Sequence, residues 1–409
     1  QDLNTLQDVL NQNHPNPTGV DAALAADATI NTSSLSSPGI PTPPTRVFDI
    51  PFFTGNPYLD TYLLAHHKTG YTGFAARNLT FNTVHAAPLT VNLQPFAGYS
   101  EFDFVATGDI NFDGSVTFSG LGSPDLNLLT AGQFHVANGS AIRADVSNFN
   151  WESPASLSLD EVSVNNQSGN TSFDVGGDFS ALNGSSFQAH GNFNVSTPGN
   201  ILFSDSSVQA NTFFAISANG GIALNNAYVN LGNFGVFTAK YDISINNSSI
   251  SMPSVFTLTS QNGSVNIGAT SIQANTLNVN AKDSILISGT ALNQPQFNRL
   301  TAHDVVRLMN LNTLNLSAPN LITLQSLNLN NVSYLNAMAN TITVVDTTFN
   351  PANSYNFGVA NGAVTIGAVT PGNLNLINDY LGNTAITSTS QINYTGGASS
   401  AAGINVYRH

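Results

Sequence analysis

The sequence predicts an all-β chain: a right-handed, three-sided parallel β-helix of about 21 residues per coil, with an N-terminal cap and an extended N-terminal arm. Three columns of apolar residues between Asn192 and Leu292 carry that expectation. Val195, Ile216, Phe237, Leu258 and Val279 recur about every 21 residues, far beyond strand or helix periodicity. A second column follows at Ile201, Ile222, Ile243, Val265 and Ile285, with i+2 partners Phe203, Leu224, Ile245, Ile267 and Ile287. Val208, Val229, Ile250, Ile272 and Leu292 form the third. Each repeat therefore carries three short strands with their apolar side chains turned the same way.

The turns agree with the columns. Pro198-Gly199-Asn200, Asn219-Gly220-Gly221, Lys240-Tyr241-Asp242 and Gln261-Asn262-Gly263-Ser264 tolerate tight or left-handed backbone. Asn225-Asn226 and Asn246-Asn247 fall in register, so their amides can bond along the axis. An antiparallel β-sandwich is the alternative, but nothing in a sandwich holds three columns in fixed phase.

Taken in order, residues 1–45 read as an extended arm, opened by a short amphipathic helix through Leu3, Leu6, Val9 and Leu10. Residues 46–107 are rich in aromatics and irregular in register, which suits a cap over the unpaired edges of the first coil. Within them Tyr58 to His67 is expected as a helix with Leu59, Tyr62, Leu63 and His66 on one face. Residues 108–350 form the β-helix. Val136, Ile142, Ala144 and Phe149 are expected to repeat the offsets of Val195, Ile201, Phe203 and Val208, and the phase blurs between Asn165 and His190. A helical insertion near 297–310 is signalled by Pro295 and the Thr301-Ala302-His303-Asp304 start, with the helix running through Met309. The template resumes at Leu316, Ile322, Leu324 and Leu329 and fades after Phe349. Residues 351–409 close on the alternating strand Ile404-Asn405-Val406-Tyr407.

Composition narrows the functions. Nine basic against 23 acidic residues give a formal charge of −14, which argues against nucleic acid and anionic membranes as partners. There is no cysteine, so neither disulfide nor thiolate chemistry is open to the chain. No apolar run approaches the roughly 20 residues of a membrane span. Only 8% of residues are charged, and solubility falls to neutral amides and hydroxyls. A start at Gln1 rather than Met suggests a processed, exported chain. Asn-x-Ser/Thr triplets at Asn78, Asn138, Asn183, Asn194, Asn262, Asn315, Asn331 and Asn393 are what an Asn- and Ser-rich chain produces by chance.

Few residues invite chemistry. Asp109 to Gly114 resembles the opening of a calcium loop, but position 12 is Gly120, where a carboxylate is required. Asp205, Asp242, Asp283, Lys240 and Lys282 are scattered over turns, with Asp242 and Asp283 about 10 Å apart along the axis. His66-His67-Lys68 and the trio His303, Asp304 and Arg307 suit solvated helix faces better than a metal or acid–base site. No catalytic, cofactor-binding or metal-binding residue is assigned.

The runs Phe256-Thr-Leu-Thr-Ser-Gln-Asn-Gly-Ser-Val-Asn-Ile and Asn275-Thr-Leu-Asn-Val-Asn-Ala resemble the coils of secreted bacterial β-helix proteins of the filamentous haemagglutinin and surface-adhesin kind. The resemblance spans roughly residues 108–350 and speaks to architecture. It implies an exported adhesin, surface protein or fibre; no two-partner secretion signature precedes the coils. The expectation is a non-enzymatic, extracellular structural protein that polymerises head to tail with itself in a filament or surface layer. The alternatives are a monomeric adhesin that binds cell-surface glycans and, third, a polysaccharide-degrading enzyme. The arm is too poor in large apolar residues to fold alone, and prolines at 15, 17, 38, 41, 43 and 44 leave Ala26 to Leu35 as the segment best able to add as a strand to a neighbouring subunit.

Overall fold

Short strands with alternating burial repeat along the chain, and nearly all of them pair in parallel with a strand one repeat away. In the computed structural model the described residues are Asn16, 18–31, 46–48, 52–66, 71–81, 88–122, 124–289, 309–345 except Asn330, and Thr347, followed by five backbone strands between 354 and 408. They form an all-β parallel solenoid of about ten turns with few helices. Two compact units divide it: residues 1–199 with 209–211, and residues 200–208 with 212–409.

In the second unit the predicted register holds for the second column, which runs Ile201, Ile222, Ile243, Val265, Ile285, Ile322, Ile342 and Val364, each paired with the next. Its i+2 partners from Phe203 to Val344, including Ile245 between Leu224 and Ile267, are buried. Phe237, Leu258, Val279 and Leu316 likewise stack. Two expected members of the columns are displaced. Ile216 is 45% exposed and Ala215 is buried in its stead, because Lys240 N–H bonds Ser217 O and so aligns the strand one residue earlier. Met309, not Leu292, pairs with Ile272. Leu292 and most of the expected helix at 297–310 lie outside the described residues, but Met309 and Asn310 begin the Met309–Ser317 strand. The template also continues past Phe349, where Ser354–Val359 pairs with Tyr334–Ala339 and with Gly403–Arg408.

In the first unit the register differs from expectation. The column that includes Val195 runs back through Phe173, Trp151, Leu128 and Phe104 to Phe74, whereas Ile142 belongs with Val116, Val164 and Phe187. Val136, Ile142, Ala144 and Phe149 are therefore not the early copies of Val195, Ile201, Phe203 and Val208. Nor does the phase blur between Asn165 and His190: Phe173, Phe179 and Phe187 occupy regular inward positions there. Parallel pairing also begins well before Gly108, with Tyr71–Ala76 on Glu101–Ala106 and Leu79–Phe81 on Ile110–Phe112. Ala28–Ile30, the segment expected to add to a neighbour, pairs with Leu79–Phe81 of its own chain.

A recurrent turn closes the coils. Its corner residue has positive φ at Glu161 and Asn183 in the first unit and at Asp205, Asn226, Asn247, Ala269 and Ser326 in the second. Asn and Asp tolerate this conformation, and the Asn226 amide donates to Asp205 while the Asn247 amide donates to Asn226 Oδ1 at 3.4 Å. Alanine has no such means of compensation. At φ 45° Ala269 carries roughly 1–2 kcal/mol of steric cost. Ala269→Gly removes it and gives back part through greater freedom of the unfolded chain, for a net gain of about 1 kcal/mol. A rise in the urea midpoint with an unchanged m value would show this.

Candidate functional site

The outer face of one sheet in the first unit is not left to solvent. Two helices lie over it: α1, Val20–Leu24, and α2, Pro57–His66. The start of α2 is written into Thr54-Gly55-Asn56-Pro57. Asn56 Oδ1 accepts from the N–H groups of Tyr58 and Leu59, and Pro57 lacks the donor that a first helical position would leave unpaired. Asp60, one turn in, folds back to accept from Thr54 N–H, Thr54 Oγ1 and Gly55 N–H.

One edge of the contact is apolar, as Val20, Ala23, Leu24, Leu59 and Leu63 pack on Ala75, Val105 and Leu129 of three successive strands. Next to that column the sheet changes character. Strand alternation that buries Phe102 and Phe104 inward turns Glu101 and Asp103 outward, and they too are buried, at 2% and 0% exposure. Asp125 and Asn127 follow Glu101 and Asp103 in register on the next coil, while Glu152, the register partner of Leu129, continues the apolar column and pairs in turn with Asp174. Tyr58 and Tyr62 reach this face from α2 with the i, i+4 spacing of one helix side, and Tyr58 Oη donates to Glu152 Oε1 at 2.8 Å.

Amides bind the carboxyls together. Asn127 Nδ2 donates to Asp103 Oδ1 at 2.7 Å and to Glu101 Oε1 at 3.1 Å, and its own Oδ1 accepts from Asn150. A parallel relay runs from Asn170 through Asn148 to Asp125. Burial pushes Asp103 well above the ordinary carboxylate range, and the neighbouring charge of Glu101 adds to it against the opposing Asn127 bond. Burial, then the charge of Asp174, pushes Glu152 up to about 8, although the Tyr58 bond favours its ionised form. Desolvation, followed by the surrounding carboxylates, also raises both tyrosines, so they remain donors. The cluster thus retains protons at pH values where free carboxyls have lost them. Its inner members are closed off from any substrate.

The residues weighed from sequence serve the turns. Asp109 Oδ1 accepts from Gln133 N–H, its Oδ2 lies 3.3 Å from His135 Nε2, and Ile110–Phe112 is a strand rather than a calcium loop. Asp242 and Asp283 are joined through Ser264, which donates its N–H to the first and its hydroxyl to the second. Asp205 holds Asn226. His67, Lys68, His303, Asp304 and Arg307 lie outside the described residues. Among the described residues no group of three or more His, Asp or Glu side chains is placed to hold a metal ion. Sequence reasoning missed the carboxyl cluster. Its signals were Glu101-Phe-Asp103-Phe, acids in strict alternation with core aromatics, and the Tyr58/Tyr62 pair on the preceding helix.

The Toastrack DUF4097 family model matches residues 154–404, more than half of the chain, and the chain belongs to that family. No curated protein and no solved structure matches it. Helices α1 and α2 and the carboxyls from Glu101 to Glu152 precede the matched span, and Asp174 falls within it.

Proposed function

We propose that this member of the Toastrack DUF4097 family is a non-enzymatic, extracellular structural protein, of the filamentous haemagglutinin and surface-adhesin kind. In this reading the solenoid is right-handed and three-sided, and copies join head to tail in a filament or surface layer. The supporting observation is the run of neutral side-chain ladders from coil to coil. Asn336 donates to Asn315 and Asn315 to Asn278, each at 2.9 Å, in the second unit, and Asn170 donates to Asn148 at 2.9 Å in the first. Such ladders stiffen a wall and leave it uncharged, which suits a scaffold better than a catalytic groove. Among the described residues the three-residue strand Ala28–Ile30 ends its sheet and pairs with Leu79–Phe81 alone. The same strand supplied by a neighbour would join subunits without new contacts.

A specific observation favours the second reading, a monomeric adhesin or glycan binder. Phe214 and Phe234 stand edge to face at 5.5 Å on the outer side of the second unit, both partly exposed, beside the exposed Ile216. Aromatic rings on an open sheet are a surface for sugars as much as for another subunit.

Electron microscopy of native material separates the readings: fibres or lattices support assembly, isolated rods support the adhesin, and released oligosaccharide would point to an enzyme. Thr29→Cys with Thr80→Cys tests the joint. These residues are register partners in a chain without cysteine. Oxidation of assembled material should give a covalent ladder of multimers; a bond formed only within single chains would overturn the exchange.

A further inference from the structure

We propose that α2 and the carboxyl face beneath it form a pH-operated latch, docked when Asp103 and Glu152 are protonated and released when they ionise. The geometry comes first. The groups facing one another across the contact are Tyr58 and Tyr62 from α2, Glu101 and Asp103 from the Glu101–Ala106 strand, Asp125 from the next, Glu152 from the third and Asp174 from the fourth. The charges that act on Tyr58, Tyr62, Asp103 and Glu152 are those of carboxylates, supplemented for Tyr58 by Tyr62. Each proton lost therefore adds repulsion inside a contact that is otherwise closed by Leu59 and Leu63 on Val105 and Leu129. Since Asp103 is wholly buried, its ionised form regains water only if the helix moves away.

The direction follows from linkage. A free glutamate side chain titrates near 4.5 and Glu152 is pushed up to about 8, so between those values the docked form holds a proton that the undocked form has lost. Docking is strongest below this window, weakens as pH rises through it, and changes no further from Glu152 above it. Asp103, raised in the same direction, reinforces the trend. Release uncovers a row of carboxylates and frees α1, which shares the apolar cluster with α2. The N-terminal region thus loosens in alkaline medium while the coils stay closed.

Hydrogen exchange on the intact chain tests the latch. Between pH 5 and pH 9, after correction for intrinsic rates, the amides of 58–66 should lose protection by about tenfold or more. Strands such as Ile243–Asn246 should keep theirs, and emission from Trp151, the only tryptophan, should stay constant. In Asp103→Asn with Glu152→Gln the helix should remain protected at pH 9. A gentler variant, Tyr58→Phe, removes from the docked form the bond that favours ionised Glu152, so docking weakens further across the window and the release midpoint should move to lower pH. Equal loss of protection in the neutralised double variant, no differential loss in the native chain, or an unmoved midpoint in Tyr58→Phe would each overturn the proposal.

Discussion

Ile245→Asp is expected to unfold the coils of the second unit at neutral pH. Ile245 is fully buried, and its register partners Leu224 and Ile267 are buried above and below it. Truncating the side chain alone removes about 2–5 kcal/mol of transfer and cavity free energy. An unpaired carboxylate at that depth either stays charged at still greater cost or takes up a proton. The destabilisation should therefore be deeper at pH 8 than at pH 4, since protonation removes the charge but not the lost packing. In a solenoid each coil is stable only through its neighbours, so damage at a central coil spreads along the stack. Thermal unfolding followed by far-ultraviolet circular dichroism measures it. An unchanged Tm would mean that Ile245 does not face the core.

The second large effect belongs to the first unit. Trp151 is fully buried among Phe112, Phe134, Phe149 and Phe173, with ring centroids 5.1 to 5.6 Å away. Trp151→Ala should cost about 3–5 kcal/mol, because four rigid rings cannot collapse into the space. Trp151→Phe should cost far less. The indole Nε1 is buried without a hydrogen-bond partner, so phenylalanine loses volume but also removes an unsatisfied donor. Urea denaturation of both variants checks the ordering; an alanine variant as stable as the phenylalanine one would contradict the packing.

How far the fold could be read in advance depended on which side chains filled the core. Ile201, Ile222, Ile243, Val265 and Ile285 are aliphatic and evenly spaced, and their column was legible without ambiguity. In the first unit the inward positions are taken by Phe104, Leu128, Trp151 and Phe173, at separations of 24, 23 and 22 residues rather than 21. A ruler cut from the second unit drifts out of phase there. Large rings also fill space that two aliphatic side chains would share, so fewer apolar residues mark each coil. Ile216 misled for a different reason: Ala215 occupies the inward place, and small residues leave little trace in a hydrophobic pattern. The carboxyl face was hidden because acids on alternate strand positions ordinarily face water. Only the helix over them makes Glu101 and Asp103 interior groups, and a helix ten residues long says nothing in sequence about which sheet face it will cover.

The wall of the second unit also shows where the chain can grow. Val279 and Leu316 are register neighbours 37 positions apart, while Leu258 and Val279 are 21 apart. Yet Asn315 still meets Asn278 at 2.9 Å, and Ile285 still pairs with Ile322. The excess length enters between Ser288 and Met309 and leaves the ladders on either side intact. The stack thus already accommodates a longer connection at this junction without loss of register. A foreign epitope, a binding peptide or a small folded cargo placed there would be displayed at a fixed height without any coil having to be redesigned.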